Sequence, residues 1–231
     1  MTGSSSRSSS MRPFKYLVLA ALAATAAPSF ASTVDFAQVE SGSSFNIPNF
    51  NFVTPLHLTF SVSGLGAMSD VNLTINGLTH SWAGDVGIAL FAPNSGGGVL
   101  LMSDAGGWSN FLNTNLTFDQ QAAGSLGLFF GGNNAVIGSR TIKPSNHGIN
   151  PLAWALTQSG SLDHFNGKNP NGTWNLYLWD DKPLDAGSIQ GATLSITAPA
   201  VPEPTTWAMI IGGLGLVGVQ MRSRRTAVSF A

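Results

Sequence analysis

The sequence contains no cysteine, and only 9% of its 231 residues are charged. The absence of cysteine excludes a disulfide framework, a cysteine nucleophile and thiolate-bound zinc. Histidine is also scarce: the chain has four, and no two have the His-x-x-x-His spacing typical of a zinc enzyme. The length is sufficient for one ordinary domain with flanking segments.

The few charges are unevenly distributed along the chain. Six of the ten basic residues lie near the two ends, whereas ten of the eleven acidic residues lie between Asp35 and Asp185, with only four basic residues among them. This central region therefore has a formal charge of −6. Because binding to a nucleic-acid backbone needs clustered lysine and arginine, we expect no nucleic-acid partner.

Residues 1–31 have the pattern of a secretory signal peptide. Arg12 and Lys15 precede an apolar, alanine-rich stretch, and Ser29-Phe30-Ala31 places small residues at the positions that signal peptidase recognises. The alternative is a buried core helix, but the basic flank and the exit after Pro28 favour a signal peptide. We therefore expect export by the Sec route and cleavage by signal peptidase.

The C-terminal segment combines a proline-rich motif, an apolar stretch from Trp207 to Met221 and an arginine cluster, in that order. The residues of the motif and the cluster are Val201, Pro202, Glu203, Pro204, Arg222, Arg224 and Arg225. The combination closely resembles the PEP-CTERM sorting signal of Gram-negative bacteria, which implies processing by an exosortase, a membrane cysteine protease. An ordinary C-terminal membrane anchor is the alternative.

The apolar stretch and the arginines also predict a route. About 15–17 apolar residues can just span a bilayer, and arginines tend to stay on the cytoplasmic side. We expect an inner-membrane intermediate held by the C-terminal helix. The final location is then the cell surface, the outer envelope or the extracellular matrix of a Gram-negative bacterium.

Between the two ends the sequence has the pattern of an all-β domain. Short bursts such as Leu56–Val62 and Val71–Ile75 alternate apolar and polar residues, so each has one apolar face. Glycine, asparagine and proline clusters separate the bursts, and no convincing helical period occurs among them. Two sheets packed face to face, in a jelly-roll-like β-sandwich, satisfy this pattern. A hydrophobic helix is expected only at the C-terminal end.

These patterns divide the chain into six segments. They are a signal peptide (1–31), an extended leader (32–45), the sandwich (46–198), a proline-rich linker with the motif (199–206), the hydrophobic helix with its basic stop (207–225) and a tail (226–231).

Two blocks of the central domain resemble the P domain, also called the Homo B domain, that accompanies subtilisin-like proprotein convertases. The first block runs from Val71 to Asn94 and contains His-Ser-Trp-Ala-Gly-Asp; the second runs from Leu162 to Leu194 and contains Gly-Thr-Trp-Asn-Leu. The resemblance implies a β-sandwich that stabilises or targets a partner rather than a catalyst. The stretch of about residues 106–150 matches poorly and has the composition of a glycine-rich insertion.

The resemblance implies structural roles for four residues of these blocks, namely His80, Gly84, Gly172 and Trp174. Trp174 alternates with polar neighbours and is expected in the core, and Gly172 permits a close approach before its strand. His80 and Asp85 lie on either side of Gly84. They are candidates to fix the loop by a hydrogen bond, to bind a ligand or to form a catalytic pair.

No motif for nucleophilic catalysis is present. The sequence has neither a Gly-x-Ser-x-Gly elbow nor the serine motif of a subtilisin-like protease, and too few residues precede the sandwich for such a catalytic domain. We therefore predict that the protein is not an enzyme, and that a serine-endopeptidase label would be inherited from the P-domain family.

Calcium is the one cofactor that the sequence suggests. Asp180, Asp181 and Asp185 crowd into one loop, and Asp85 lies in another; calcium prefers oxygen ligands of this kind. The alternative is that these residues are solvated turn charges, since Lys182 partly neutralises the group and the spacing is not that of an EF-hand.

Three functions remain compatible with the sequence. The first is a non-catalytic, surface-sorted sandwich that acts by protein or glycan contact. The second is an accessory domain of a separate subtilisin-like protease. The third is a carbohydrate-binding module, for which the candidate aromatic platforms are Trp82, Trp108, Trp154 and Trp179. Exposed tryptophans would favour the third function.

Overall fold

A computed structural model describes most of the predicted sandwich and the C-terminal helix. The described residues are 31–39, 44–49, 54–93, 97–132, 134–148, 160–199 and 204–222. The predicted signal peptide up to residue 30, most of the proline-rich motif, Trp154 and the last two arginines of the sorting signal lie outside them.

In the described part of the chain there are thirteen strands, two short 3₁₀ helices and one α-helix. The strands are β1 (Ala31–Val39), β2 (Phe45–Ile47), β3 (Leu56–Val62), β4 (Asp70–His80), β5 (Val86–Phe91), β6 (Gly98–Ser103), β7 (Asn110–Phe118), β8 (Val136–Ile137), β9 (Arg140–Ile142), β10 (Ser145–Asn146), β11 (Gly172–Asp180), β12 (Gly187–Ile189) and β13 (Gly191–Pro199). The helices are the 3₁₀ turns Ala83–Asp85 and Leu162–Phe165 and the α-helix α1 (Pro204–Arg222).

The strands form two sheets. An eight-stranded sheet has the order β1-β13-β4-β12-β2, with β7 also paired to β4 and with β8 and β9 paired to β7. A five-stranded sheet has the order β10-β6-β5-β11-β3. The all-β, jelly-roll-like sandwich predicted from the alternating pattern is confirmed.

The core lies between the sheets because the alternating strands turn their apolar faces toward one another. In β3, Leu58, Phe60 and Val62 are buried while the residues between them are exposed. In β4, Leu73 and Ile75 are buried in the same alternation. In these two strands the period of two in the sequence therefore translates directly into one buried face.

Trp174 and Gly172 occupy the start of β11 as the sequence suggested. The Trp174 indole is fully buried, packs edge-on against Phe165 with ring centroids 5.1 Å apart, and donates its Nε1 hydrogen to the Pro170 carbonyl at 2.8 Å. Gly172 has a φ of +133°, and a Cβ there would come within 2.8 Å of Pro93. Both observations fit structural roles.

The sandwich extends further than the predicted boundaries. Ala31–Val39, assigned above to the end of the signal peptide and to an extended leader, forms β1 and pairs antiparallel with β13 along its whole length. The glycine-rich stretch after residue 106 supplies β7, β8, β9 and β10, so it adds strands to both sheets. The leader and the insertion are therefore parts of the sandwich.

The C-terminal helix is present and begins a few residues earlier than predicted, at Pro204. Its side chains from Met209 to Arg222 are exposed. Among the described residues, no helix combines the length and the hydropathy required of a membrane span. The transmembrane part of the prediction is therefore not confirmed.

We predict that Trp174→Ala strongly destabilises the domain. Truncating a large buried aromatic residue costs about 3–5 kcal/mol, a large share of the roughly 5–15 kcal/mol that stabilises a typical domain. Thermal unfolding followed by near-UV circular dichroism measures the effect, and Trp108→Ala, at an exposed tryptophan, is the matched control. Equal melting temperatures for the two variants would contradict the assignment of Trp174 to the core.

Candidate functional site

The end of the sandwich where β4 and β11 finish collects most of the polar residues singled out in the sequence. His80 ends β4 in one sheet, and Asp180 ends β11 in the other. Both side chains are fully buried, with His80 Nε2 3.3 Å from Asp180 Oδ2. The partner of His80 is therefore Asp180, which lies far away in the sequence, rather than Asp85.

Hydrogen bonds fix the orientation of this pair. The Trp82 backbone N–H donates to His80 Nδ1 at 3.1 Å, so in the neutral imidazole the hydrogen lies on Nε2. The Lys182 backbone N–H donates to Asp180 Oδ1 at 2.9 Å. A Cβ at Gly187 would overlap the His80 ring, so the neighbouring strand also packs tightly on the pair. His80 thus holds the loop that follows it.

That loop contains the short helix Ala83–Asp85, which rests on a second loop. The Gly84 N–H donates to the Gly107 carbonyl at 2.9 Å, and a Cβ at Gly84 would lie 3.1 Å from the same oxygen. The Asp181 N–H donates to the Asp85 carbonyl at 2.9 Å. Gly84 therefore allows close contact between loops, as its predicted structural role requires.

The four predicted calcium ligands, Asp85, Asp180, Asp181 and Asp185, lie close enough for the last three to act electrostatically on Asp85. Burial, followed by the charges of Asp181, Asp180 and Asp185, raises the pKa of Asp85 to about 7. Burial also raises the pKa of Asp181, although Lys182 opposes that shift. Asp85 is only 8% exposed. Burial and the neighbouring carboxylates therefore disfavour the charged form of Asp85.

This arrangement does not make a recognisable metal centre. Within the described ranges, no three His, Asp or Glu side chains converge on a position that could hold a metal ion. Asp185 Oδ1 accepts a hydrogen bond from Ser81 Oγ at 2.6 Å, and Asp181 Oδ2 pairs with Lys182 Nζ at 3.2 Å. Calcium binding is thus not confirmed, and it stays a prediction from the sequence.

Beside the carboxylates lies a cavity of about 150 Å³ with aromatic walls. We call it the tryptophan pocket; its lining residues are Trp82, Gly84, Asp85, Asp104, Gly107, Trp108, Leu128 and Phe129. Trp82 is 36% exposed, Trp108 is 51% exposed and Phe129 is 65% exposed. Three large aromatic side chains therefore surround one opening at the surface.

The aromatic rings that line the pocket contact one another. The centroids of Trp82 and Trp108 are 6.4 Å apart with ring planes inclined by 50°, and Trp108 meets Phe129 edge-on at 5.9 Å. A Cβ at Gly107 would lie 2.9 Å from Phe129 Cδ1, so the phenyl ring packs directly on that glycine. The buried Ser109 hydroxyl donates to the Phe130 carbonyl and holds the next residue of the same loop.

The structure separates the three candidate aromatic platforms that lie within the described residues. Trp82 and Trp108 come together at the pocket, whereas Trp179 is buried against Ala89 and Leu100 and presents no platform. Sequence reasoning missed Asp104, Leu128 and Phe129. Asp104 stands beside an Ala-Gly-Gly-Trp turn that signals a loop, but Leu128 and Phe129 lie in the stretch interpreted as an insertion.

One family model matches the C-terminal segment. Residues 200–225 match the PEP-CTERM protein-sorting motif. The motif is a signal for exosortase-dependent sorting of exported proteins to the surface of Gram-negative bacteria, and the prediction of this signal is confirmed. No curated protein matches the chain.

Two solved structures are distantly similar to the chain. The crystal structure of the Aeromonas sobria serine protease in complex with its chaperone has a TM-score of 0.41 and 12% identity, over 74% of this chain and 28% of that one. The crystal structure of the serine protease of Aeromonas sobria has a TM-score of 0.38 and 13% identity, over 72% and 27% of the two chains. This chain spans less than a third of each, and scores this low support no conclusion. The resemblance to the P domain stays a prediction.

We predict that Asp85→Asn raises the melting temperature by about 4 °C at about pH 8 and changes it little at about pH 4. The raised pKa means that folded Asp85 keeps its proton up to about pH 7, whereas the unfolded carboxyl loses it near 3.8. The wild type therefore loses stability as the pH rises through that window, and the amide removes the loss.

The control for this experiment is Asp35→Asn on β1, far from the acidic group in the sequence. It should leave the pH dependence unchanged. A gain for Asp85→Asn of equal size at both pH values would show that ionisation of the buried Asp85 carboxyl is not the cause.

Proposed function

We propose that this protein is a non-catalytic β-sandwich that is delivered to the cell surface or the extracellular polymer matrix, where it acts by contact with a glycan or a protein. The observation that carries the proposal is the sorting motif at residues 200–225. An exosortase processes the chain at this segment, and the sandwich is the part that remains outside. The other expected processing partners are the Sec machinery and signal peptidase.

The tryptophan pocket favours glycan contact among the possible modes of action. Its rings are exposed on loops at one end of the sandwich, which is the arrangement that distinguishes a carbohydrate-binding module from a purely structural sandwich. Ligand sites commonly combine apolar walls with a few polar groups that fix the orientation of the ligand. Trp82 and Trp108 supply such walls, and Asp85 and Asp104 supply polar groups.

A role beside a subtilisin-like protease is the second candidate. It depends on the two blocks that resemble the P domain, with His80, Gly84, Gly172 and Trp174 at their centres. In that case the sandwich would stabilise or target a protease encoded elsewhere, and the chain itself would still perform no hydrolysis.

We predict that replacing Pro202, Glu203 and Pro204 together with alanine blocks processing, so that the full-length precursor accumulates in the inner membrane. An ordinary anchor needs the apolar helix and the arginines but not the Pro-Glu-Pro, whereas the sorting signal needs all three. Immunoblotting of fractionated cells, with and without the exosortase gene, measures the precursor and the product.

The matched control replaces Thr205 and Thr206, which follow the motif directly, with alanine. Its processing should equal that of the wild type. Normal release of the Pro-Glu-Pro variant would mean that the tail acts as an ordinary anchor.

We predict that the purified protein shows no peptidase activity toward casein or chromogenic peptides. In the described residues no catalytic domain is evident. His80 is buried, lies beside Asp180 and accepts a hydrogen bond from the Trp82 backbone N–H. Hydrolysis that disappeared on His80→Ala, in a variant whose circular dichroism spectrum was unchanged, would contradict the prediction.

A further inference from the structure

The size of the tryptophan pocket limits what it can hold. Its volume is about 150 Å³, and an apolar cavity of about 150 Å³ in another protein holds a benzene molecule. That is too large for a bare ion and suits a group of the size of a sugar ring. The pocket also opens to solvent between side chains on separate loops, so a unit within a longer polymer can enter it.

The walls favour a ligand with an apolar face. Neighbouring exposed aromatic rings are unusual on a protein surface unless they bind something. The C–H face of a pyranose ring packs on indole and phenyl faces, and the inclination between Trp82 and Trp108 presents two such faces to one ligand. The same faces attract a cation that lies over them.

The polar lining favours a positive charge on that ligand. Asp85 and Asp104 line the pocket, and Asp181 and Asp185 lie close enough to act electrostatically on Asp85. The neighbouring cation is Lys182, whose ammonium is paired with Asp181. The acidic groups of this end therefore outnumber the compensating cation, and a cationic ligand would relieve their repulsion.

Asp104 adds a backbone observation at the same place. It has a φ of +51°, in the left-handed region that few residues other than glycine adopt. Its Oδ2 accepts a hydrogen bond from Ser103 Oγ at 2.9 Å, which orients the carboxylate.

We propose that the tryptophan pocket binds a hexosamine unit of an extracellular polysaccharide, with the sugar ring against Trp82 and Trp108 and its protonated amine toward Asp104 and Asp85. The inference rests on the proposed glycan contact and specifies its chemistry. A metal ion fits less well, because the described acidic residues do not converge as metal ligands.

The test is calorimetric titration of the full-length protein, purified in detergent with EDTA, against three probes. The first is a short β-1,4-linked glucosamine oligomer, the second is the same oligomer fully N-acetylated, and the third is Nα-acetyl-lysine methylamide, which carries an amine without a sugar. We expect the glucosamine oligomer to bind at least tenfold more tightly than either of the others.

Variants assign the binding to the pocket. Trp108→Ala should weaken binding of both oligomers at least tenfold. Asp104→Asn should weaken binding of the glucosamine oligomer and leave the affinity for the acetylated oligomer unchanged, so that the preference for the free amine decreases. Leu112→Ala, an exposed apolar residue of β7 that does not line the pocket, is the matched control and should change nothing.

Each contrary outcome overturns a different part of the inference. Equal affinity for the two oligomers would contradict recognition of the amine and leave the glycan contact intact. A lysine amide that bound as tightly as the glucosamine oligomer would contradict recognition of the sugar ring. Binding that was unchanged in Trp108→Ala would contradict the assignment to the tryptophan pocket. No binding of any probe would overturn the hexosamine inference, whereas surface sorting is tested separately by the Pro-Glu-Pro variant.

Discussion

The buried contact between His80 and Asp180 joins the two sheets at the end of the sandwich that carries the tryptophan pocket. β4 and β11 belong to different sheets, and their last residues meet at this contact. Removing one member of a buried pair leaves a polar or charged group without compensation in the interior, which is strongly destabilising even where the intact pair adds little net stability. The pair therefore specifies how the two strand ends lie, and with them the loops that follow.

Two of the loops that form the candidate site begin at this pair. The loop after His80 carries Trp82 and Asp85, and the loop after Asp180 carries Asp181 and Asp185. A third loop, around Gly107, is held to the loop after His80 by two backbone hydrogen bonds. The Gly84 N–H donates to the Gly107 carbonyl, and the Ala83 N–H donates to the Ser109 carbonyl at 2.7 Å. A pocket built mainly from backbone contacts between loops keeps its aromatic side chains at the surface, because the backbone rather than the side chains holds the loops in place.

The sequence predicts the fold well where local periodicity decides it. Alternation in β3 and β4 identifies both the strands and their buried faces, and the alternation around Trp174 identifies its burial. The partner of His80 could not be predicted, since it depends on which strand ends meet across the two sheets. Phe129 was missed for a related reason: the loop around it has no periodic pattern, and only the tertiary contact with Gly107 gives it a role. β1 escaped detection because it is an edge strand that is only partly buried and so has a weak alternation.

The pairing of β1 with β13 places the start of β1 and the end of β13 at one end of the sandwich, away from the pocket. Ala31 pairs with Pro199, and Thr197 pairs with Asp70 at the start of β4, so the chain enters and leaves the sandwich at the same end. β4 then runs for eleven residues, about 35 Å at roughly 3.3 Å per residue, before it reaches His80 and the pocket. The point of attachment and the pocket therefore lie at opposite ends of the sandwich. A domain tethered through its C-terminal linker would carry its aromatic opening at the far end, a full strand length away from the tether, where a long polymer can reach it.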